Sequence, residues 1–401
     1  MQTPGVGASP AFDPRHPEFI ANPFPHYARL RAEGPVVRPD KTGDWLALSY
    51  DTAAKVLTDA RFIKGPSEPR LPPPDFAHLP PLPTSMLMQD PPDHTRLRAL
   101  VNRAFTPGVV ERLRPRIAQL AAELLDGVAD AGRMDLMREF AFPLPATVIA
   151  EMLGVPKGDQ DRFRAWSQDI IPLLDPTQPE EVRQRGAQAD LELLDYFQHL
   201  IAAKRAHPAD DLVTDLIAAQ EAGDRLNAGE VLAMCALLLI AGHETTTHLI
   251  GGGTLALLEH PDELARLRRR PDLMPLAVEE LLRFQPPVQL DGRMAREDIE
   301  LGGRRIAAGE WVLAVIASAN RDPSVFPDPD RLDVGREKNP HLAFGRGIHY
   351  CLGAPLARLE AQLALAALLA RLPALVLDPG CPPRWNRNVV IRGLAELRVR
   401  W

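Results

Sequence analysis

From residue 93 onward, apolar positions recur every three or four residues in runs broken by Gly or Pro. That spacing predicts helices over 93–105, 107–131, 138–153, 157–174, 179–206, 210–222, 227–259, 261–270 and 272–284. Ahead of them, Trp45-Leu46-Ala47-Leu48 reads as a short strand, followed by a helix opening near Asp51, whose side chain can cap the first amides. Residues 287–316 hold Gly-separated runs, Ile299–Leu301 and Trp311–Val315, that predict a small hairpin region. A Pro-rich coil from Arg321 to Leu342, a long apolar helix Ala354–Leu372 and an alternating tail Val389–Val399, read as a terminal hairpin, complete the pattern. The expected fold class is mainly α with small β-sheets, an α+β arrangement without internal repeats.

Residues 66–92 carry ten prolines and can be neither a regular helix nor a central strand. Such a stretch is a linker between domains or a stiffened loop over a pocket. The first twelve residues, rich in Gly and Pro, are expected to be frayed. Length alone, 401 residues, allows two or three domains at ~150 residues each or one large core. Proline, 41 of 401, is about twice its usual ~5%.

Composition narrows the function classes. Forty-six Lys+Arg against 53 Asp+Glu leave a net charge of −7, so no overall positive field favours nucleic acid or anionic membranes. Three cysteines, Cys235, Cys351 and Cys381, are too few and of the wrong parity for a disulfide framework, which suits a reducing compartment. Met1–Pro14 lacks a secretory pattern, and the longest apolar run, Val231–Ala241, is far below the ~20 residues of a membrane span. A cytoplasmic location is expected.

The densest chemical signal is Phe344-Gly345-Arg346-Gly347-Ile348-His349-Tyr350-Cys351-Leu352-Gly353, immediately before the apolar helix. The glycines permit a tight turn, and a cysteine at a helix start meets unpaired amides and the positive end of the dipole, which favour a thiolate. Taken alone, such a cysteine is more often a small buried hydrophobe. With its neighbours, the spacing F-x-x-G-x-x-x-C-x-G resembles the haem-binding loop of the cytochrome P450 family. The resemblance implies that Cys351 is the axial iron ligand of haem b (iron protoporphyrin IX), with Phe344, Gly347 and Gly353 filling the motif.

Further motifs follow the same order. Glu280-Leu281-Leu282-Arg283 sets a carboxylate and a guanidinium on one helix face. In the family this pair is buried and joined by an arginine from the following coil, here Arg336, or else Arg331. Leu238–Thr246 interrupts an apolar helix with Ala241-Gly242-His243-Glu244-Thr245, although an interior Gly costs ~1 kcal/mol against Ala. The stretch resembles the family's oxygen-activating A-G-x-[DE]-T. By that resemblance Ala241 and Gly242 leave room over the iron, Thr245 holds a kink and hydrogen-bonds dioxygen, and Glu244 relays protons. A zinc site on His243-Glu244 and His248 is rejected by spacing, since ligands in H-E-x-x-H are four apart whereas these are five apart and roughly 140° around the helix. Haem propionates need cationic partners. His94 and Arg98 at i and i+4, Arg293 and His349 match the family's propionate positions.

The resemblance covers almost the whole chain and implies a single, triangular domain over 1–401, with the 66–92 stretch as a loop over the substrate. It further implies a monooxygenase that inserts one atom of O2 into an organic substrate. No flavin or iron–sulfur segment is evident, so a ferredoxin and its reductase are the expected electron donors. A peroxide-driven enzyme is the alternative within the class, but such members usually lack the pair seen here as Glu244 and Thr245. A non-catalytic haem sensor or carrier would need no proton relay. By family position the substrate pocket draws on Met86, Leu87, the 166–180 connection, Leu237, Ala241, Val288, Leu290, Val390 and Ile391, which suits a lipophilic small molecule. Arg103, Arg112, Arg114, Arg116 and Arg346 are expected to form a basic patch for an acidic ferredoxin. The protein is expected to be a monomer.

Overall fold

The structure is a computed structural model that describes residues 13–39, 43–65, 75, 78–80, 85–221 and 226–401. The terminus expected to fray and most of the Pro-rich stretch lie outside the described residues. A 32-residue helix, Ala228–Glu259, forms the centre. Its start is fixed by a reciprocal cap, in which Glu230 N–H donates to Asn227 Oδ1 (2.9 Å) and Asn227 N–H to Glu230 Oε2 (2.8 Å). The helix is long and apolar enough to cross a membrane, but it is largely buried against the rest of the chain, as a core helix is. The helices Pro143–Met152, Glu180–Ala206, Met274–Phe284 and Ala354–Arg371 pack around it. Glycines set how closely two of these approach: a Cβ at Gly242 would lie 2.7 Å from Ile149, and one at Gly253 3.0 Å from Leu281.

Prolines divide several of the expected helices. The 107–131 run becomes Pro107–Arg112 and Arg114–Asp126, with Pro115 at the start of the second. The 138–153 run opens as a π-turn, Met137–Ala141, and restarts at Pro143. The helix expected to open near Asp51 spans Tyr50–Thr58 and is capped by Ser49, whose hydroxyl accepts from Thr52 N–H (3.3 Å). Asp51 instead sits in the first turn, where its charge complements the helix dipole.

The largest sheet has five strands in the order Val36–Val37, Trp45–Ala47, Trp311–Ala314, Asp291–Ala295 and Phe62–Ile63. Only Trp45–Ala47 and Trp311–Ala314 run parallel. The 287–316 region therefore contributes two strands to this sheet and a separate hairpin, Ile299–Leu301 with Arg304–Ile306, turned on Gly302 and Gly303, both at positive φ. The tail is not the terminal hairpin its alternation suggests. Leu394–Glu396 pairs with Arg384–Trp385, whereas Arg398–Arg400 pairs with Arg133–Asp135 and Val376–Leu377. Alternation reports a half-buried strand but not its partner.

Candidate active site

The cysteine loop is closed by its own backbone. Gly345 and Gly347 take φ of +69° and +73°, and Cys351 N–H donates to Phe344 O at 2.9 Å. A Cβ at Gly347 would stand 2.7 Å from Leu57 O, so that glycine is required twice over. A Cβ at Gly353 would meet no described atom within 4 Å, so the space beside Cys351 is left by the chain rather than filled. Amides of Gly353 and Ala354, at the start of the helix Ala354–Arg371, point at the Cys351 sulfur. The side chain is solvent-accessible although protein crowds most of its surroundings. That crowding pushes the thiol up, against the two amides and the guanidinium groups of Arg98 and Arg358.

A brace that sequence reasoning missed supports this loop. Arg358 donates to both Glu279 oxygens (2.7 and 2.9 Å), lies 4.5 Å over the Phe344 ring and donates to Tyr350 Oη at 3.2 Å. His341 stands 3.2 Å from the same carboxylate. Burial would raise the Glu279 carboxyl, but His341 and Arg358 together hold it down to about 2. The neighbouring Glu280 faces the other way and is fully buried with Arg283, which donates to it through Nε and Nη2, both at 2.7 Å. Arg336 Nε donates to Glu280 Oε2 at 3.1 Å, whereas Arg331 contributes only its carbonyl, which accepts from Arg283 at 3.1 Å. Asn339 and Asp333 N–H complete the shell, at 3.1 and 2.9 Å. The coil that leads into the cysteine loop is thereby tied to one buried carboxylate.

His94, Arg293 and His349 converge. The His94 and His349 rings lie 4.2 Å apart, and Arg293 acts on both electrostatically. Burial, then Arg293, pushes His349 down to about 3. Both ring nitrogens of His94, His349 Nε2 and Arg293 Nη2 are buried without a hydrogen-bond partner. Unsatisfied buried donors are costly, so a cluster of them marks the position of an anionic acceptor. Two carboxylates of a haem would satisfy them, and the residues present fit the group. Lys64, also missed in the sequence, joins this cluster through Asp291 (2.6 Å), which pairs with Arg293 at 2.7 Å. Arg98 donates through Nη2 to Tyr350 O at 2.6 Å, beside the cysteine.

On the central helix, Leu237, Ile240, Ala241, Gly242, Glu244 and Thr245 are accessible or partly so, whereas Leu238, Leu239, His243 and Thr246 are buried. The missing side chain of Gly242 admits Ile149 of the crossing helix. The helix Ala228–Glu259 runs without a break in its assignment through Thr245. Glu244 does not reach freely toward solvent but lies 3.1 Å from His248 Nε2. Of the pocket residues, Val288 and Ile391 form a β-bridge, and Gln289 N–H donates to Val390 O at 2.8 Å, which brings 288–290 and 390–391 side by side. The 166–180 connection reaches the same segment, as Asn388 donates to Ile171 O (3.2 Å) and Val389 N–H to Asp175 (3.1 Å). Met86 is buried and Leu87 exposed on a short turn, Met86–Met88.

A family model for Cytochrome P450 matches residues 46–393. The chain is 46% identical over 393 residues to the cytochrome P450 monooxygenase PikC of Streptomyces venezuelae, covering 96% of this chain and 92% of that one. It is 43% identical to 6-deoxyerythronolide B hydroxylase of Saccharopolyspora erythraea, covering 93% and 95%. Its backbone superposes with a TM-score of 0.89 on P450BioI crystallised with an acyl carrier protein bearing hexadec-9Z-enoic acid, at 40% identity, covering 96% and 100%.

Proposed function

The chain belongs to the cytochrome P450 family and is a haem-thiolate oxidoreductase; on that premise we propose that it inserts one oxygen atom of O2 into a lipophilic small organic molecule. The cofactor is haem b, and the electrons come from a ferredoxin and its reductase. The protein acts as a single cytoplasmic domain and a monomer. The observation that carries the reading is the group of buried, unpartnered donors on His94, His349 and Arg293, in a chain whose Cys351 sulfur sits under two helix-start amides.

Bound haem supplies the iron at which dioxygen is reduced and C–H oxidation occurs. The chain's residues do the rest. Cys351 would hold the iron through its sulfur, and the Glu280–Arg283–Arg336 cluster fixes the coil that presents it. His94, Arg293 and His349 would hold the carboxylates of the cofactor. Thr245 offers a hydroxyl on the open face of the central helix, and Glu244, one residue before it, holds or releases a proton. Leu237, Val288, Leu290, Val390, Ile391, Met86 and Leu87 offer an apolar surface that excludes water and suits a lipophile.

Isotope labelling tests this directly. Reconstituted with a ferredoxin, its reductase and a lipophile that shifts the ferric haem to high spin, the enzyme yields product carrying one atom from labelled O2 and none from labelled water. Product formed with peroxide but not with the electron-transfer chain would establish the peroxide-driven alternative.

A further inference from the structure

His248 is fully helical, on the buried central helix, and has no part in the motif that singles out Glu244 and Thr245. Its Nε2 lies 3.1 Å from Glu244 Oε1, with the two side chains 6% and 16% exposed. Helical i,i+4 pairs are commonplace on surfaces. Inside a core, an imidazole without a partner is costly, so a pair formed there is informative. The opposing chain is shaped to admit this ring: a Cβ at Gly393 would fall inside it.

The protonation pattern follows from the partners. His248 Nδ1 is buried without a partner, against Gly393, so the neutral ring carries its hydrogen on Nε2 and donates to Glu244. His243 has the opposite tautomer, because its Nδ1 donates to Leu239 O at 2.7 Å and leaves Nε2 bare, 3.8 Å from Glu244 Oε2. Of the two neighbouring imidazoles, only His248 offers a neutral N–H to the carboxylate.

We propose that His248 is the positioning residue of Glu244, fixing the carboxylate along the helix through the Nε2–H bond. Glu244 then gives its proton toward the cleft and returns to a carboxylate that already has a donor, with the Nε2–H bond intact throughout. Burial would raise the Glu244 carboxyl, but the partner imidazole of His248, foremost, and then His243 bring it below its ordinary value. Around the pair, Phe142 stacks edge-on against His243 (5.3 Å), Ile149 packs at Gly242, and burial pushes the carboxyl of Glu360, on the cysteine helix beside Thr246, well up.

The inference rests on the proposed role of Glu244, but its first test needs no turnover. In ferric holoprotein, the infrared carboxyl band of Glu244, assigned by its loss in Glu244→Gln, is followed against pH. His248→Ala moves its midpoint up by about one pH unit or more. His248→Gln, which keeps an N–H at the same reach, moves it by less than half as much. In turnover, His248→Ala lowers product per O2 several-fold at unchanged substrate spectral affinity, and Gln restores most of it. An unchanged midpoint in His248→Ala, or a Gln shift as large as that of Ala, overturns the proposal. If Ala does not fold, a midpoint shift of about one pH unit or more in His248→Gln overturns the proposal. Absence of a thiolate-type carbon monoxide spectrum would count against the haem site itself and leave the infrared result standing.

Discussion

Thr245 is partly accessible on the central helix, whereas Thr246 and Thr247 are buried. Position on the helix therefore separates three chemically identical neighbours. Thr245→Ala and Glu244→Gln are expected to leave haem content and substrate binding nearly intact while product per electron falls, with ~10–100-fold slower productive turnover. Equal product yield per electron in both variants and wild type, measured with O2 uptake, would remove the proton role. At this scale the motif residues were legible in the sequence because their spacing is local. His248 was noticed there only as a failed zinc ligand. Its pairing with Glu244 depends on burial and on Gly393, some 145 residues further along the chain, which no local pattern encodes.

The coil between the Met274–Phe284 helix and the cysteine loop has little regular structure of its own, and buried charge holds it instead. Glu280 and Arg283 are both fully buried, so losing one partner strands the other at ~3–5 kcal/mol. Glu279, one residue earlier, carries the pH sensitivity. Its folded value of about 2 lies below the 4.5 of an unfolded glutamate. A depressed carboxyl contributes stability above the unfolded value and loses it as pH falls through the folded one. Thermal unfolding between pH 6 and 2.5 should therefore show a decline, beginning near pH 4.5, that is shallower in Glu279→Gln. Identical pH profiles for the two proteins would show that the Arg358–Glu279 brace contributes nothing. The Glu280–Arg283 spacing was visible in the sequence. The brace was not, because Arg358 lies one helix further on, and the tail strands were misassigned because alternation does not name a partner.

Across the whole molecule, a net charge of −7 coexists with arginines near the cysteine loop. Two members of the expected patch are neutralised locally, as Arg114 pairs with Glu111 and Arg116 with Glu151 (2.7 Å). Arg103, Arg112 and Arg346 remain exposed, with Ile348 and Tyr350 exposed beside Arg346. Charge reversal at Arg112 and Arg346 should slow reduction by an acidic ferredoxin at low salt and flatten its salt dependence, leaving substrate affinity alone. Equal rates across the salt range would place the docking surface elsewhere. The helical architecture was legible because 3.6-residue periodicity runs through most of the chain, while the sheet order was not, since it joins segments from residue 36 to 314. The claim on which the account depends is that Cys351 binds haem iron through its sulfur. Reduced protein with carbon monoxide should give the red-shifted absorption of thiolate-ligated haem, and Cys351→His should lose it while still binding haem; a wild type that binds no haem, or a mutant that keeps the thiolate spectrum, would contradict the account.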